Sequence, residues 1–287
     1  MELKTVILQD FTRVAAFVGL YLVLFLLAKW MKDFFTPYKI NHELTKKDNL
    51  AVAVSMCGYY FGTVAIFVGA LFGPSQGFVK DLVIVGSYSI VGLIFLNLSR
   101  IINDKIILRK FSNVKQLTEE HNVAVGAVQF GTYVATGLIA AGAVTGTGGG
   151  LETAVAFFVL GQISLLIFSF IYDFFTPYSI HDELKKKNIA AGVALGGTLI
   201  ALGIIVLNGV SGDFISWQEN LTNLAIVNLM AFIFLPIIRF VMDKLVIPGG
   251  DLSNEIIEDK NIGAGLLEAN VAISFAIVLN MLLYNVI

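Results

Sequence analysis

The chain alternates between long apolar runs and shorter polar connections, and eight such runs follow one another. Most of them reach the roughly 20 residues that an α-helix needs to cross a ~30 Å hydrocarbon core. The pattern predicts eight transmembrane helices, over 11–30, 50–72, 82–98, 123–144, 151–172, 189–207, 221–238 and 262–283. The third, sixth and seventh are a little short, so we expect tilt or buried flanking residues to complete them.

Composition leads to the same class of protein. Hydrophobic residues make up 57% of the 287 residues, charged residues 14%, and the mean hydropathy is +0.82. Such a chain cannot bury its apolar surface inside one water-soluble domain. The single cysteine, Cys57, excludes an intramolecular disulfide and a metal site made of cysteines alone. The predicted fold class is an all-α membrane protein.

One polar segment between apolar runs occurs twice. The first copy contains Asp33, Thr36, Pro37, Tyr38 and Glu43, and the second contains Asp173, Thr176, Pro177, Tyr178 and Glu183. Each copy ends one apolar run and introduces the next, which indicates tandem duplication of a four-helix membrane unit. We expect a first repeat over 1–144, a Gly-rich linker on the outer side over 145–150 that acts as a flexible joint, and a second repeat over 151–287.

A shorter repeat lies inside the duplication. The even-numbered predicted helices begin with Asn49, Asn122, Asn188 and Asn261. Small residues mostly follow two, nine and thirteen positions later, and these positions fall within about 40° of one another around a helix. Such a face lets helix backbones pack closely in lipid. The pattern predicts four related helical hairpins that all insert in the same orientation.

Basic residues are unequally divided between the two ends of the predicted helices. Sixteen of the 19 Lys and Arg residues, Lys32 among them, fall in the loops after the odd-numbered helices. The positive-inside rule places these loops in the cytoplasm and both termini outside it. Trp30 and Tyr38 lie where an interfacial aromatic belt is expected.

A polar side of the even-numbered helices has two interpretations. It carries Tyr60, Gln129, Tyr133 and Glu268. An intramembrane carboxylate costs about 2.5 to 3.5 kcal/mol on insertion scales and marks proton or ion pathways, so these residues would line a proton or cation pathway. The other interpretation is structural, with a protonated Glu268 bonded to a polar neighbour or reaching the interface. The neighbours considered are Asn228, Asn270 and Ser274.

The duplicated acidic residues are also ambiguous. With the two threonines they would form a cation site at the cytoplasmic mouth, but we prefer helix capping and charge balance with nearby lysines. The prolines then end the preceding helix, and the four asparagines cap the next one. Arg100 with Asp104, and Arg239 with Asp243, are interpreted as headgroup anchors and local ion pairs. Metal binding by the histidines is a minority interpretation, because His42, His121 and His181 lack helical metal spacing to one another.

The order of these motifs resembles the YjfL-type bacterial inner-membrane proteins, known as domain of unknown function 350. The resemblance covers two tandem copies, over about 11–144 and 151–285. It rests on Thr36-Pro37-Tyr38 with Asn49-Leu-Ala51-Val-Ala53, and on Thr176-Pro177-Tyr178 with Asn188-Ile-Ala190-Ala-Gly192. The eighth helix departs from the pattern, with Gly for both alanines and Asn270 for the deeper glycine.

The resemblance implies a multi-pass protein of the bacterial inner membrane, with a role in membrane homeostasis or envelope stress and no established activity. Its expected partners are the bilayer, anionic lipid or a cytoplasmic peripheral stress protein, and a homo-oligomer is left open. A proton or cation channel or transporter is the alternative. Because no catalytic motif is recognisable, we expect no enzymatic activity, no cofactor and no nucleic-acid partner.

Overall fold

Eight helices of the described residues are long and apolar enough to cross a membrane. The computed structural model describes residues 2–73, 75–246 and 251–286, and side chains over 10–73, 75–244 and 251–284. Numbered in chain order among all helices, the long ones are α1 Glu2–Phe35, α3 Leu50–Leu71, α4 Phe78–Ile106, α6 Val123–Ala143, α7 Leu151–Phe175, α9 Ile189–Val210, α10 Trp217–Val241 and α12 Ile262–Val286. The predicted fold class is confirmed.

Four helices of six residues each directly precede the second, fourth, sixth and eighth membrane spans, which are α3, α6, α9 and α12. The short helices are α2 Ile40–Thr45, α5 Asn113–Thr118, α8 Ile180–Lys185 and α11 Leu252–Ile257. A short π-helical segment, Met242–Val246, extends α10. All four short helices lie on the same side of the bundle, which we call the basic side because the lysine-rich loops are there. The hydropathy pattern did not predict them, since six residues are too few to form an apolar run.

The core of the fold is a row of four helices in the order α3, α6, α9 and α12, each packed along its neighbour. The small residues make this packing close. Ala51, Ala124 and Ala190 are fully buried, and a side chain on Gly131 would collide with the carbonyl oxygen of Gly196 on the next helix. The other four spans flank the row, with α1 lying mainly against α4 and α7 between α6 and α9.

All four flanking spans are longer than the hydropathy pattern predicts, and in two of them the added residues include arginine. The third predicted helix, 82–98, extends to Phe78–Ile106 and includes both Arg100 and Asp104. The seventh, 221–238, extends to Trp217–Val241 and includes Arg239. These charged residues belong to the helices because each has an opposite charge within 4 Å, which lowers the cost of burying it.

The Gly-rich linker between the two repeats is held in place, contrary to the flexible joint that the sequence suggests. Asp213 Oδ1, in the loop between α9 and α10, accepts hydrogen bonds of 2.6 Å from both the backbone N–H and the hydroxyl of Thr147. The Phe214 N–H donates to the Thr147 carbonyl over 2.8 Å. Gly146 adopts φ +104°, which only glycine tolerates well. These bonds tie the linker to the second repeat.

Candidate functional site

Each core helix begins with an asparagine that also binds the following hairpin. Asn122 Oδ1 accepts from the N–H groups of Ala124 and Val125 at 3.1 and 3.4 Å, which caps α6. Its Nδ2 donates to Gln116 Oε1 over 2.6 Å and to the carbonyl oxygen of Leu184, in α8, over 2.7 Å. The Asn122 side chain therefore caps the helix after its own hairpin connection and also binds the connection of the next hairpin.

Asn49 and Asn188 repeat this arrangement, and Asn261 repeats its cap. Asn49 Nδ2 donates to the Leu117 carbonyl over 2.8 Å, and Asn188 Nδ2 donates to the Ile256 carbonyl over 2.7 Å. Asn261 caps α12, and its Nδ2 donates to Glu255 Oε2 over 2.8 Å. The residue before each asparagine has a positive φ, between +46° and +60°: Asp48, His121, Lys187 and Lys260.

Glu43 and Glu183 hold two of these asparagines. Glu43 Oε2 accepts from Asn49 Nδ2 over 2.9 Å and its Oε1 pairs with Lys47 over 2.8 Å. Glu183 makes the same contacts with Asn188 and Lys186, at 2.9 and 2.7 Å. Burial raises the pKa of each carboxyl, but the hydrogen bonds from lysine and asparagine outweigh it, so each pKa lies below its ordinary value.

The remaining acidic residues and threonines of the duplicated segment have other partners. Asp33 lies 3.6 Å from Lys29, and Asp173 lies 4.0 Å from the buried His181. Thr36 Oγ1 accepts from Arg100 over 3.1 Å, whereas Thr176 Oγ1 donates to the backbone of its own helix. Within the described residues the acidic pairs thus have separate contacts.

The aromatic and histidine side chains of this region differ in burial. Burial raises the pKa of Tyr38 to about 12. His181 Nε2 lies 3.0 Å from the Ile107 carbonyl oxygen, and burial lowers the pKa of its ring. His42 and His121 are exposed. No cluster of three or more His, Cys, Asp or Glu residues with metal-binding geometry occurs among the described side chains.

The first buried polar cluster surrounds Lys32. This lysine was assigned to a loop from the sequence, but it lies in α1 and is 2% exposed. Its Nζ donates to the hydroxyl of Tyr133 and lies 4.3 and 5.1 Å from the ring centres of Tyr133 and Tyr59. Cation–π attraction therefore contributes to its binding. Asn97 Nδ2 donates to the Tyr59 hydroxyl over 3.0 Å, which connects α4 to the cluster.

Gln129 belongs to an adjoining network. Its Nε2 donates to Asp104 Oδ1 over 2.9 Å, and its Oε1 accepts from the Ser55 hydroxyl over 2.6 Å. Arg100 Nε lies 3.6 Å from Asp104 Oδ2, and its Nη1 donates to the Phe35 carbonyl over 3.1 Å. Arg100 is largely buried, so it is a link between α1, α4 and α6 and not the headgroup anchor that the sequence suggested.

The second buried polar cluster contains Glu268. Its Oε1 accepts from Arg239 Nε over 2.9 Å and from the Tyr172 hydroxyl over 2.8 Å. Glu268 is 3% exposed, and the adjoining cavity has a volume of only about 20 Å³ with an almost wholly apolar lining. The partners differ from the predicted Asn228, Asn270 and Ser274. Arg239 likewise does not pair with Asp243, which contacts Lys244 over 2.7 Å.

The four residues of the predicted ion pathway are distributed over different surroundings. Gln129 and Tyr133 belong to the networks of the first repeat, whereas Glu268 belongs to the second. Leu195 and Leu199, the residues of α9 in the same register, are buried apolar side chains. Tyr60 packs its ring 4.6 Å from that of Phe25 at the edge of the bundle. The structure brings Gln129 and Tyr133 near each other through α6 but leaves Tyr60 and Glu268 apart from them.

Sequence reasoning missed most of the residues in the two clusters. Lys32, Tyr59, Asn97 and Tyr172 were not singled out, and the arginines were given surface roles. One signal was available, because Arg100 and Arg239 are each followed by an aspartate four residues later. The recurrence of this pair in both repeats indicates a position where the duplicated unit needs a charge.

The basic side also exposes uncompensated charge and aromatic rings. Phe34 and Phe174, in the two copies of the repeated segment, are each 82% exposed and form edge-on pairs with Phe35 and Phe175. Six exposed lysines on this side make no ion pair within 4 Å among the described residues. They are Lys39, Lys46, Lys105, Lys110, Lys115 and Lys260.

Comparison with known proteins finds one family twice along the chain. The family model described as Domain of Unknown Function (DUF350) matches residues 6–144 and 147–283. A UPF0719 transmembrane protein of Aquifex aeolicus is 23% identical over 264 residues, which are 87% of this chain and 92% of that protein. The UPF0719 inner membrane protein YjfL of Escherichia coli K12 is 37% identical over 67 residues, 22% of this chain and 51% of YjfL. No solved structure matches.

Proposed function

Because the chain belongs to the DUF350 family, whose description assigns no activity, we propose its function from the surface that it offers to the membrane. We propose that it is a non-enzymatic component of membrane homeostasis in the bacterial inner membrane. Its basic side faces the cytoplasm and gathers anionic lipid. The two termini then lie on the opposite side of the membrane.

The observation that supports this proposal is the pairing of free charge with exposed aromatic rings on the basic side. The six lysines without an ion pair within 4 Å extend their positive charge to the surface of the basic side. A lysine near an anionic membrane surface contributes about 1 kcal/mol of attraction, and aromatic rings favour the headgroup level. On the opposite side, Arg13 is already paired with Asp81 over 2.8 Å.

The test uses the exposed Trp30 as a probe of the lipids beside the basic side. Trp30 is 75% exposed, and a Trp217→Phe background removes the second tryptophan of the chain. The protein is reconstituted into phosphatidylcholine vesicles that contain an equal fraction of brominated phosphatidylglycerol or brominated phosphatidylcholine. We expect stronger quenching of Trp30 by the anionic lipid, and we expect this excess to shrink in 0.5 M salt because screening weakens surface attraction.

Lysine variants make the test specific. Replacing Lys39, Lys46 and Lys105 together by Gln should remove most of the excess quenching. Lys80→Gln is the matched control, because Lys80 is exposed on the opposite side, and it should leave the excess unchanged. Equal quenching by the two brominated lipids in the wild type would reject lipid gathering and leave a peripheral stress protein as the partner to seek.

Ion passage is the second interpretation from the sequence, and the contacts of Glu268 weigh against it. The carboxylate is paired with Arg239, and the adjoining cavity has a volume of only about 20 Å³. The test is proton and monovalent-cation flux into liposomes with the wild type or Glu268→Gln. Flux above that of empty liposomes that disappears in the variant would support a pathway, and its absence in the wild type would reject one for these ions.

A further inference from the structure

The outer face of α12, at one end of the core row, is not covered by any helix of the described chain. It consists of Gly263, Leu266, Asn270, Ser274 and Ile277, all of them exposed. At 100° per residue these five positions fall within about 40° on either side of Asn270. The opposite face, with Ala269, Ala272 and Ala276 buried, packs against the rest of the bundle.

The same register holds a helix three times elsewhere in the chain. On α3, Gly58 lies against the backbone of Phe130 in α6. On α6, Gly131 lies against Gly196 of α9, and on α9, Gly197 lies against Ala269 of α12. Asn270 occupies the corresponding position of α12. The outer face of α12 is thus the fourth copy of a helix-binding surface, continuous with three interfaces already formed.

Asn270 excludes one way of filling this face. Where the other core helices have glycine, even a Cβ atom would collide with the backbone of the next helix. The larger asparagine therefore prevents another chain from extending the row by placing its α3 against α12 in the same close geometry. The row ends at α12.

Asn270 also requires a partner. Nine residues after Asn261, it lies about 13 Å along the helix, close to the middle of the span. The Asn270 side chain makes no hydrogen bond to any described residue. An amide exposed to hydrocarbon loses the hydrogen bonds that water would supply. Asparagine in such a position drives transmembrane helices together by bonding across the interface.

We propose that α12 pairs with α12 of a second copy of this chain, with Asn270 bonded to the partner's Asn270. Two copies inserted in the same orientation are related by a two-fold axis along the membrane normal. Each residue at such an interface meets its own counterpart at the same depth. A carboxamide both donates and accepts, so Asn270 is complementary to itself. Gly263 and Ser274 on either side allow the two helices to approach.

The experiment is disulfide cross-linking of the full chain in membranes, in a Cys57→Ser background. Ser274→Cys, one turn from Asn270 on the same face, keeps the amide and should give a dimer on mild oxidation, in several-fold excess over Leu229→Cys. Leu229 is the matched control because it is 58% exposed near the middle of α10. Yields of Ser274→Cys no greater than those of Leu229→Cys would overturn the proposal.

Two further measurements guard against misinterpretation. With Cys57 retained, Ser274→Cys should still stop at the dimer, and species larger than a dimer would reveal a head-to-tail contact and overturn the two-fold arrangement. In energy-transfer measurements after dilution into excess lipid, Asn270→Leu should weaken association at least ten-fold, whereas Asn270→Gln should largely preserve it. Unchanged association of the leucine variant would contradict the role of the amide even if the helices cross-link.

Discussion

Arg239 donates from Nε to Glu268 Oε1 over 2.9 Å, and this ion pair joins α10 to α12 inside the membrane span. Tyr172 adds a hydrogen bond from α7 to the same oxygen. Three helices of the second repeat therefore meet at one carboxylate. The Glu268 carboxylate, which is costly to bury, therefore binds the flanking helices α7 and α10 to the core helix α12.

We expect Glu268→Ala to lower the melting temperature by roughly 5 to 10 °C, because it leaves the buried Arg239 unpaired, a loss of about 3 kcal/mol. A double variant, Glu268→Leu with Arg239→Leu, should be less destabilised than Glu268→Ala, since no unpaired charge is left. Thermal unfolding in one detergent measures both. Asp81→Asn is the control, because its partner Arg13 is 46% exposed and such pairs contribute at most about 1 kcal/mol. A double variant as unstable as Glu268→Ala would contradict this account.

The asparagines that join hairpins should matter more than the last one. Asn122→Ala removes the cap of α6 and one of the two donors to the buried Leu184 carbonyl, whose other donor is the Lys187 N–H, so we expect a loss of about 2 kcal/mol. Asn261→Ala removes a cap and a bond to Glu255 within its own hairpin connection, which predicts about 1 kcal/mol. Unfolding of the two variants side by side tests this, and equal losses would show that the link between hairpins contributes little.

Stability should depend on Glu183 through pH. Its pKa is lowered in the folded protein, so its contribution is present above the unfolded pKa of about 4.3 and is lost as pH falls through the folded value. Glu183→Gln should therefore be less stable than the wild type at pH 7 and approach it below about pH 4. Melting temperatures between pH 3 and 7 measure the difference, with Glu258→Gln, an exposed carboxylate, as the control. A difference that persists at pH 3 would contradict the assignment.

Close packing of the core row predicts a strong effect of one methyl group. Gly131→Ala places Cβ against the Gly196 carbonyl, so the helices must separate, at a cost of about 1 to 3 kcal/mol. Gly19→Ala on α1 has open space around the new atom, and it should be neutral or slightly stabilising because alanine favours helix. Thermal unfolding of the two variants in one detergent measures the difference. If Gly131→Ala melts no lower than Gly19→Ala, the row is not tightly packed there.

The sequence predicts the spans well because hydrocarbon demands long apolar runs, and the repeated asparagines predict the four hairpins. The helix ends were misplaced where a charge is buried. Arg100 and Lys32 look like loop residues in a hydropathy profile. The profile does not show that Tyr133 approaches Lys32 from another helix, or that the Arg100–Asp104 ion pair predicted from the sequence lies inside α4. Folding supplies those partners.

The candidate site was less predictable for a related reason. The links from Asn49, Asn122 and Asn188 end on main-chain carbonyls, which every residue possesses, so no side-chain pattern reveals them. Glu268 was recognised as unusual, but its partner Arg239 lies 29 residues earlier in the sequence, in another helix. Only the packing of α10 against α12 brings the two together.

The bonds between hairpins can form only in a fixed order during synthesis of the chain. Asn49 finds its carbonyl only when the ribosome has produced Leu117, Asn122 waits for Leu184, and Asn188 waits for Ile256. Each hairpin thus enters the membrane with one amide unmatched and is completed by its successor. Asn261 donates to Glu255 in the short helix before it, as Asn49 and Asn188 donate to Glu43 and Glu183.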